Sequence, residues 1–379
     1  MNILHVVNIS FVIPYFLGKQ LNYFTEKGHK EFIVCSGSKE LKYFSEQYSF
    51  GYRAIEVLRK ISIVKDIVAV LKTARYIRDV KAEIVTGHTP KGGLIAMMAA
   101  YIMGVPIRIY FRHGLVYETS KGLKRELLIN IDRLASRLAT NIVCVSPSVA
   151  KRSIEDKLNS ESKQVILANG TCNGIDVDRF NKHNIREDKI LELKNKLGIS
   201  DEDFIIGFTG RLVRDKGIVE LIRAYNTLKS KYPNVKLLLV GMLEVRDALP
   251  EDIVEVINED NKIIKPGYVG YAEIEYYYAL MSVFVLASYR EGFPTSVLEA
   301  SSMGLPVITT RATGCVDSII DGITGIFVNH DDKDLHTALE YLYTNGEERK
   351  KMGDNGRKFV VDNFNQVIIW KEIEKLYCQ

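Results

Sequence analysis

The segment EGFPTSVLE, residues 291 to 299, sets two carboxylates, Glu291 and Glu299, on either side of a helix start. Pro294 suits a first helical turn. Glu291 therefore lies on the preceding loop, while Glu299, four residues beyond Thr295, lies one turn into the helix on the side of its start. The amides of Thr295, Ser296 and Val297 are left unpaired at that end and can receive a phosphate. A carboxylate beside such a phosphate accepts hydrogen bonds from a ribose diol, and a second accepts them from sugar hydroxyls. The plainer alternative makes Glu291 an acid drawn to the helix dipole and Glu299 an exposed helix residue.

A second element, GFTGRLVRDKG, residues 207 to 217, ends a strand and supplies two cations, Arg211 and Lys216. Arginine offers phosphate oxygens a planar fork and lysine a point charge, a combination that fits a diphosphate. Gly217 starts a helix whose amino end adds positive potential. Taken alone, this stretch is equally a strand-loop-helix turn with two surface cations.

Closely spaced acidic residues can hold a metal at a phosphate group, and two such patterns occur here. Asp201-Glu202-Asp203 precedes a strand and Asp176-Val177-Asp178 lies in a turn-rich segment, both wrong places for a metal at the phosphate site. No metal or cofactor is expected, because side-chain cations can stabilise the leaving charge. The chain lacks G-x-G-x-x-G after its first strand, G-x-x-x-x-G-K-[ST], H-E-x-x-H and G-x-S-x-G, which argues against a dehydrogenase, a P-loop enzyme, a zinc protease and an α/β-hydrolase.

These residues need a scaffold that presents strand ends and helix starts together. Short β-type runs alternate with longer amphipathic stretches along all 379 residues. ILHVV, EFIVCS, EIVTGH, IRIYF and NIVCVS read as strands of the first half, then FIIGFTG, VKLLLVG, KIIK, VFVLAS, PVITT and GIFV as those of the second. Nearly continuous apolar strands between helices imply parallel sheets covered on both faces. The expected architecture is α/β, with a Rossmann-like domain over residues 1–180 and another over 181–363. The turn-rich segment NGTCNGIDVDRFNKHN marks the boundary, and ligands would bind in a cleft at the carboxyl ends of the strands.

Composition agrees with a folded chain: 46% hydrophobic and 26% charged. Five scattered cysteines without a C-x-x-C pair suggest neither a disulfide framework nor a zinc site and favour a reducing cytoplasm. The apolar start lacks a basic leader region and reads as a first strand, and no stretch is long enough to span a membrane. Residues 1–180 hold 26 Lys and Arg against 16 Asp and Glu, whereas residues 181–379 hold 25 against 31. A basic first half can gather an anionic partner, either a phospholipid surface, a pyrophosphate-linked acceptor or nucleic acid; the alternative is a solvated lysine-rich surface.

With these motifs in view, the chain resembles the retaining GT-B glycosyltransferases of family 4. EGFPTSVLE matches their E-x(7)-E pattern and GFTGRLVRDKG their G-R-L-x-x-x-K-G element, in the family's order and spacing. HTPKGG, GVPIRIYFRHG, NGIDVDRF and GCVDSIIDGITGIFV look like the bacterial subgroup that builds capsule and O-antigen glycans. The resemblance implies that Arg211 and Lys216 hold the donor diphosphate beside Gly210 and Gly241, that Glu299 binds the ribose and that Glu291 contacts the donor sugar. Gly292, Phe293, Pro294, Thr295 and Ser296 would line the sugar-phosphate site, with Tyr268 and Val269 of the GYVG loop near the nucleobase. His113 stands where the family often has an active-site histidine, which can hydrogen-bond a hydroxyl or developing charge. His88, Lys91 and Arg112 are candidates for the acceptor, the first two equally for the donor phosphates, although GHTPKGG is also read as a strand-to-helix turn with Pro90 at the helix start. The C-terminal helix, residues 364–379, would pack back on the first domain. One departure is Ala312-Thr313-Gly314-Cys315, where many relatives carry two adjacent glycines.

The reaction expected from this resemblance moves a sugar, an N-acetylhexosamine or its deoxy relative, from a UDP-sugar to a lipid-pyrophosphate-linked glycan with retention of configuration. The work would be done at the inner face of a bacterial cell membrane, where basic helices around Lys65, Lys72, Arg75 and Arg78 and around Lys121, Lys124, Arg125 and Arg133 meet anionic headgroups. Two other readings stay open: a UDP-sugar 2-epimerase of the same two-domain shape, and a nucleic-acid-binding protein, which the lack of a recognition module disfavours.

Overall fold

The computed structural model describes residues 1–58 and 62–378. The chain divides into two units, Met1–Gly174 with Gln366–Gln379, and Ile175–Asn365. The division falls six residues before the expected boundary at 180/181, since residues 175–180 are tied into the second unit. The Ile175 amide donates to the Phe364 carbonyl at 2.7 Å, and the Phe180 carbonyl accepts from Ser302 Oγ at 2.7 Å and from Arg357 at 3.0 Å.

The first unit is built on seven parallel strands: β1 (Asn2–Val6), β2 (Lys30–Cys35), β3 (Gly51–Ala54), β4 (Ile84–His88), β5 (Ile107–Arg112), β6 (Asn141–Cys144) and β7 (Gln164–Val165). Their order across the sheet is β3-β2-β1-β4-β5-β6-β7. The second unit has six, β8 (Phe204–Thr209), β9 (Val235–Val240), β10 (Ile263–Gly267), β11 (Val283–Leu286), β12 (Val307–Thr310) and β13 (Gly325–Val328), in the order β10-β9-β8-β11-β12-β13. Both are Rossmann-like α/β units, as expected. β4 and β8 are buried along their whole length because helices cover both faces. β3 and β7 were not anticipated: they are edge strands, β3 exposed throughout and β7 two residues long, so neither needs an apolar run.

In each order the chain reverses direction across the sheet, between β1 and β4 in the first unit and between β8 and β11 in the second. Crossovers diverge at such points and open a crevice at the carboxyl ends of the strands, where ligands bind. β4 ends at His88, and β8 ends immediately before Gly210-Arg211, so the residues singled out by chemistry stand at these two reversals.

The C-terminal helix, Gln366–Tyr377, joins the core of the first unit. Trp370 is 6% exposed, donates its indole N–H to Asn173 Oδ1 at 2.9 Å and lies 5.2 Å from the Tyr23 ring. Glu374 receives Lys27 at 2.6 Å and the Tyr23 hydroxyl at 3.2 Å. No helix among the described residues is long and apolar enough to cross a membrane.

Candidate functional site

Two glycines make the floor of the second unit's reversal point. Gly241 has φ +148° and lies so close to the end of β8 that a Cβ there would meet the Gly210 carbonyl oxygen at 1.8 Å. Gly217 has φ +73°, starts the helix Ile218–Lys231, and a Cβ on it would lie 2.1 Å from the Ala287 carbonyl oxygen. Only glycine accepts both constraints. The approach brings the β8 and β11 loops together, and Tyr289 N–H and Ser288 Oγ both donate to the Asp215 carbonyl at 2.9 Å.

Within this frame Lys216 pairs with Glu291, both side chains being largely buried. The sequence assigned them separate tasks, a diphosphate and a sugar; in the structure they touch. Arg211 is half exposed and pairs with Glu244 at 3.2 Å. The helix Thr295–Ser302 has Pro294 at its cap position, and no side chain covers its end. Thr295 and Ser296 amides are unpartnered among the described residues, but the Val297 amide donates to the Pro294 carbonyl at 3.0 Å, which removes it from the expected set of three. Phe293 is 9% exposed with its ring 5.3 Å from that of Phe364, so it anchors the loop in the core. Buried Gly292 continues the same loop, and the Glu291 amide donates to the Thr313 carbonyl at 3.1 Å, bringing the departing Ala312–Cys315 stretch beside the site.

Glu299 is not the exposed helix residue of the plainer reading. Tyr278 donates to Glu299 Oε2 at 2.8 Å, and Thr209 Oγ1 lies 2.7 Å from the Tyr278 hydroxyl, so the carboxyl is tied to the end of β8. Burial pushes its pKa up to about 7, against the opposing pull of Tyr278 and of the Arg179 charge. Arg179 donates to the Tyr271 carbonyl and pairs with Glu275 at 2.6 Å, with its guanidinium over the Tyr271 ring at 4.1 Å. It thereby fixes the chain leaving the GYVG loop, in which Tyr268 is exposed and Val269 half-buried. Tyr278 and Arg179 were missed by sequence reasoning. The first hides in a run of three tyrosines that reads as core packing, and the second in a turn whose partner lies 96 residues away.

In the first unit, His113 follows β5 with its ring stacked on Phe16, centroids 3.9 Å apart and planes 16° from parallel. Its Nε2 is 3.0 Å from His88 Nδ1. Burial lowers His113 to about 3 and holds His88 well below the usual histidine value, which favours the neutral imidazole in each. Three acceptor candidates require correction or qualification. Arg112 is 0% exposed; its guanidinium is held by Asp132 at 2.6 Å, Ser136 at 2.6 Å and Asn159 at 2.7 Å, which makes it a core strut. His88 is 1% exposed, with its two ring nitrogens against Thr86 Oγ1 and His113 Nε2. Lys91 is mostly buried and paired with Asp66. The glycines of GHTPKGG serve packing: a Cβ on Gly93 would strike the Tyr110 ring at 2.3 Å.

The second unit thus offers, at one strand reversal, a buried lysine-carboxylate pair, an arginine, a helix start with two unused amides and a carboxyl able to accept hydroxyl groups. Comparison with known proteins agrees with that chemistry. Residues 189–359 match the model for glycosyl transferases group 1, and residues 19–179 that for glycosyltransferase family 4. The chain is 36% identical over 376 residues to the capsular polysaccharide biosynthesis glycosyltransferase CapM of Staphylococcus aureus, covering 99% of this chain and 96% of that protein. It is 25% identical to the UDP-Gal:alpha-D-GlcNAc-diphosphoundecaprenol alpha-1,3-galactosyltransferase of Escherichia coli, covering 91% and 88%. Among solved structures, Anabaena Alr3699/HepE in complex with UDP and glucose shares the fold with a TM-score of 0.82 at 17% identity, covering 99% of this chain and 98% of that one. With 36% identity along nearly its whole length and a family model on each unit, the chain belongs to the glycosyltransferases of group 1 and family 4.

Proposed function

We propose that the protein transfers a sugar from a UDP-sugar to a hydroxyl of a lipid-pyrophosphate-linked glycan in surface-polysaccharide assembly, with retention of configuration and without a metal. The observation that carries this reading is the helix start at Thr295, bracketed by the Lys216–Glu291 pair and by Tyr278-held Glu299. The two unused amides suit a phosphate, Lys216 and Arg211 supply the positive charge that a departing diphosphate needs, and Glu299 suits a ribose diol. UDP and a lipid-pyrophosphate acceptor draw support from the names of the Anabaena and Escherichia coli proteins, and a capsule pathway from the Staphylococcus aureus relative. Thermal unfolding with a panel of nucleoside diphosphates and UDP-sugars tests it, because a ligand of the folded state adds about 2.7 kcal/mol at a hundredfold excess over its Kd. UDP should raise Tm most, the Lys216→Ala variant should respond less, and a UDP-N-acetylhexosamine should outdo a UDP-hexose. A protein indifferent to every nucleoside diphosphate would refute the reading.

Docking at an anionic membrane face belongs to the same proposal. The helix Ile63–Val80 leaves Ile63, Val64, Ile67, Val68 and Leu71 exposed in one stripe, Ile63 and Val64 by more than 70%, with Lys65, Lys72, Arg75 and Arg78 also exposed on it. Apolar side chains at the level of the headgroups and basic ones beside them are what an interfacial helix requires.

A further inference from the structure

Five side chains form a continuous hydrogen-bonded chain across four strands of the first unit's sheet. Glu31 Oε2 on β2 meets His5 Nε2 on β1 at 2.7 Å, and His5 Nδ1 meets Thr86 Oγ1 on β4 at 2.6 Å. Thr86 Oγ1 meets His88 Nε2 at 3.1 Å, and His88 Nδ1 meets His113 Nε2, just past β5, at 3.0 Å. Glu31, His5, Thr86 and His88 are each 3% exposed or less, and His113 alone reaches solvent. Apolar residues would pack these positions without the cost of burying polar groups. Glu31 even keeps its second oxygen, Oε1, buried and without a partner among the described residues.

The chain has only two self-consistent directions. In one direction the Glu31 carboxylate accepts from His5 Nε2–H, and a His5 ring with that single proton accepts at Nδ1 from the Thr86 hydroxyl. That hydroxyl has one proton, now used, and must accept from His88 Nε2–H. His88 Nδ1 then accepts from His113 Nε2–H, which leaves His113 Nδ1 with a bare lone pair. Reversing the bonds from His5 Nδ1 onward requires one more proton at the buried end, on Glu31 or on His5, and would leave His113 showing an N–H. The hydrogen bond made by one ring nitrogen sets the role of the other, so the state of Glu31 is read out at His113.

We infer that Glu31, acting through His5, Thr86 and His88, is a positioning residue that fixes His113 as a hydrogen-bond acceptor at Nδ1, suited to a sugar hydroxyl and unsuited to a phosphate oxygen. The sugar rests on the glycosyltransferase reading; the direction of the chain does not.

Full-length protein carrying 15N-histidine tests the two separately. In the wild type, long-range proton-nitrogen spectra should show His113 and His88 protonated on Nε2 and bare on Nδ1. Thr86→Val, nearly equal in volume but lacking the hydroxyl, and Glu31→Gln should each move a large part of His113 to the Nδ1–H form, whereas Thr86→Ser should not. In transfer assays Thr86→Val should lower kcat about tenfold or more, as loss of a supporting hydrogen bond does elsewhere, with KM for the nucleotide sugar changed less than about twofold and Thr86→Ser restoring the rate. A wild-type His113 protonated on Nδ1, or a tautomer unmoved by both Thr86→Val and Glu31→Gln, overturns the inference. Wild-type protein that transfers no sugar would instead overturn the functional reading, with the spectra still deciding the tautomer.

Discussion

In the proposed function, folding and ribose binding pull the proton of Glu299 in opposite directions. Its folded pKa of about 7, raised mainly by burial, exceeds the ordinary value of 4.5. A raised acid favours the folded state below its unfolded pKa, and that contribution is lost as pH rises through about 7. A ribose diol donates to the carboxylate, so nucleotide binding runs the other way and should strengthen between pH 6 and 8. Calorimetric titration with UDP should show that rise in the wild type beyond whatever slope Glu299→Gln retains, and Glu299→Gln should bind more weakly by roughly 1.5–3 kcal/mol, the range for hydrogen bonds to a charged group. Parallel pH slopes in the two proteins would refute the assignment. The spacing E-x(7)-E made the place of Glu299 on a helix start legible. Its environment was not legible, because Tyr278 and Arg179 come to it from 21 and 120 residues away in sequence, by contacts that only the folded sheet creates.

Elements were readable where one periodicity dominates. IVKDIVAVLKTARYIRDV reads as a helix and is one, over Ile63–Val80. Its outward face was harder to read, since the same run supplies a buried set, Val70, Ala74 and Ile77, and the exposed stripe from Ile63 to Leu71. Pattern alone does not say which apolar side the sheet takes. Edge strands β3 and β7 failed for the related reason that a half-solvated edge needs no apolar signature. The exposed stripe carries its own prediction: Val64→Asp with Leu71→Asp should abolish most binding to anionic liposomes at low salt while leaving UDP-induced stabilisation unchanged. Wild-type protein that binds anionic vesicles no better than neutral ones would remove the membrane part of the proposal.

At the scale of the whole molecule, alternating strands and helices announced two α/β cores, and the charge count gains force once the units are known. The first unit holds 27 Lys and Arg against 16 Asp and Glu, leaving the second with 24 against 31. What one sequence could not settle was the exact partition, because Ile175 joins the second unit through a backbone contact to Phe364, and Trp370 joins the first through Asn173 and Tyr23. A chain that crosses between units twice should still keep two separable cores. Trp370→Ala removes a buried ring and its hydrogen bond, which should cost the first unit about 3–5 kcal/mol. Hydrogen exchange followed by mass spectrometry should then show β1 and β2 losing protection while β8, β9 and β11 keep theirs, with the response to UDP preserved. Equal loss of protection in both sheets would mean that the units unfold as one, and that the nucleotide site depends on the C-terminal helix as much as the first sheet does.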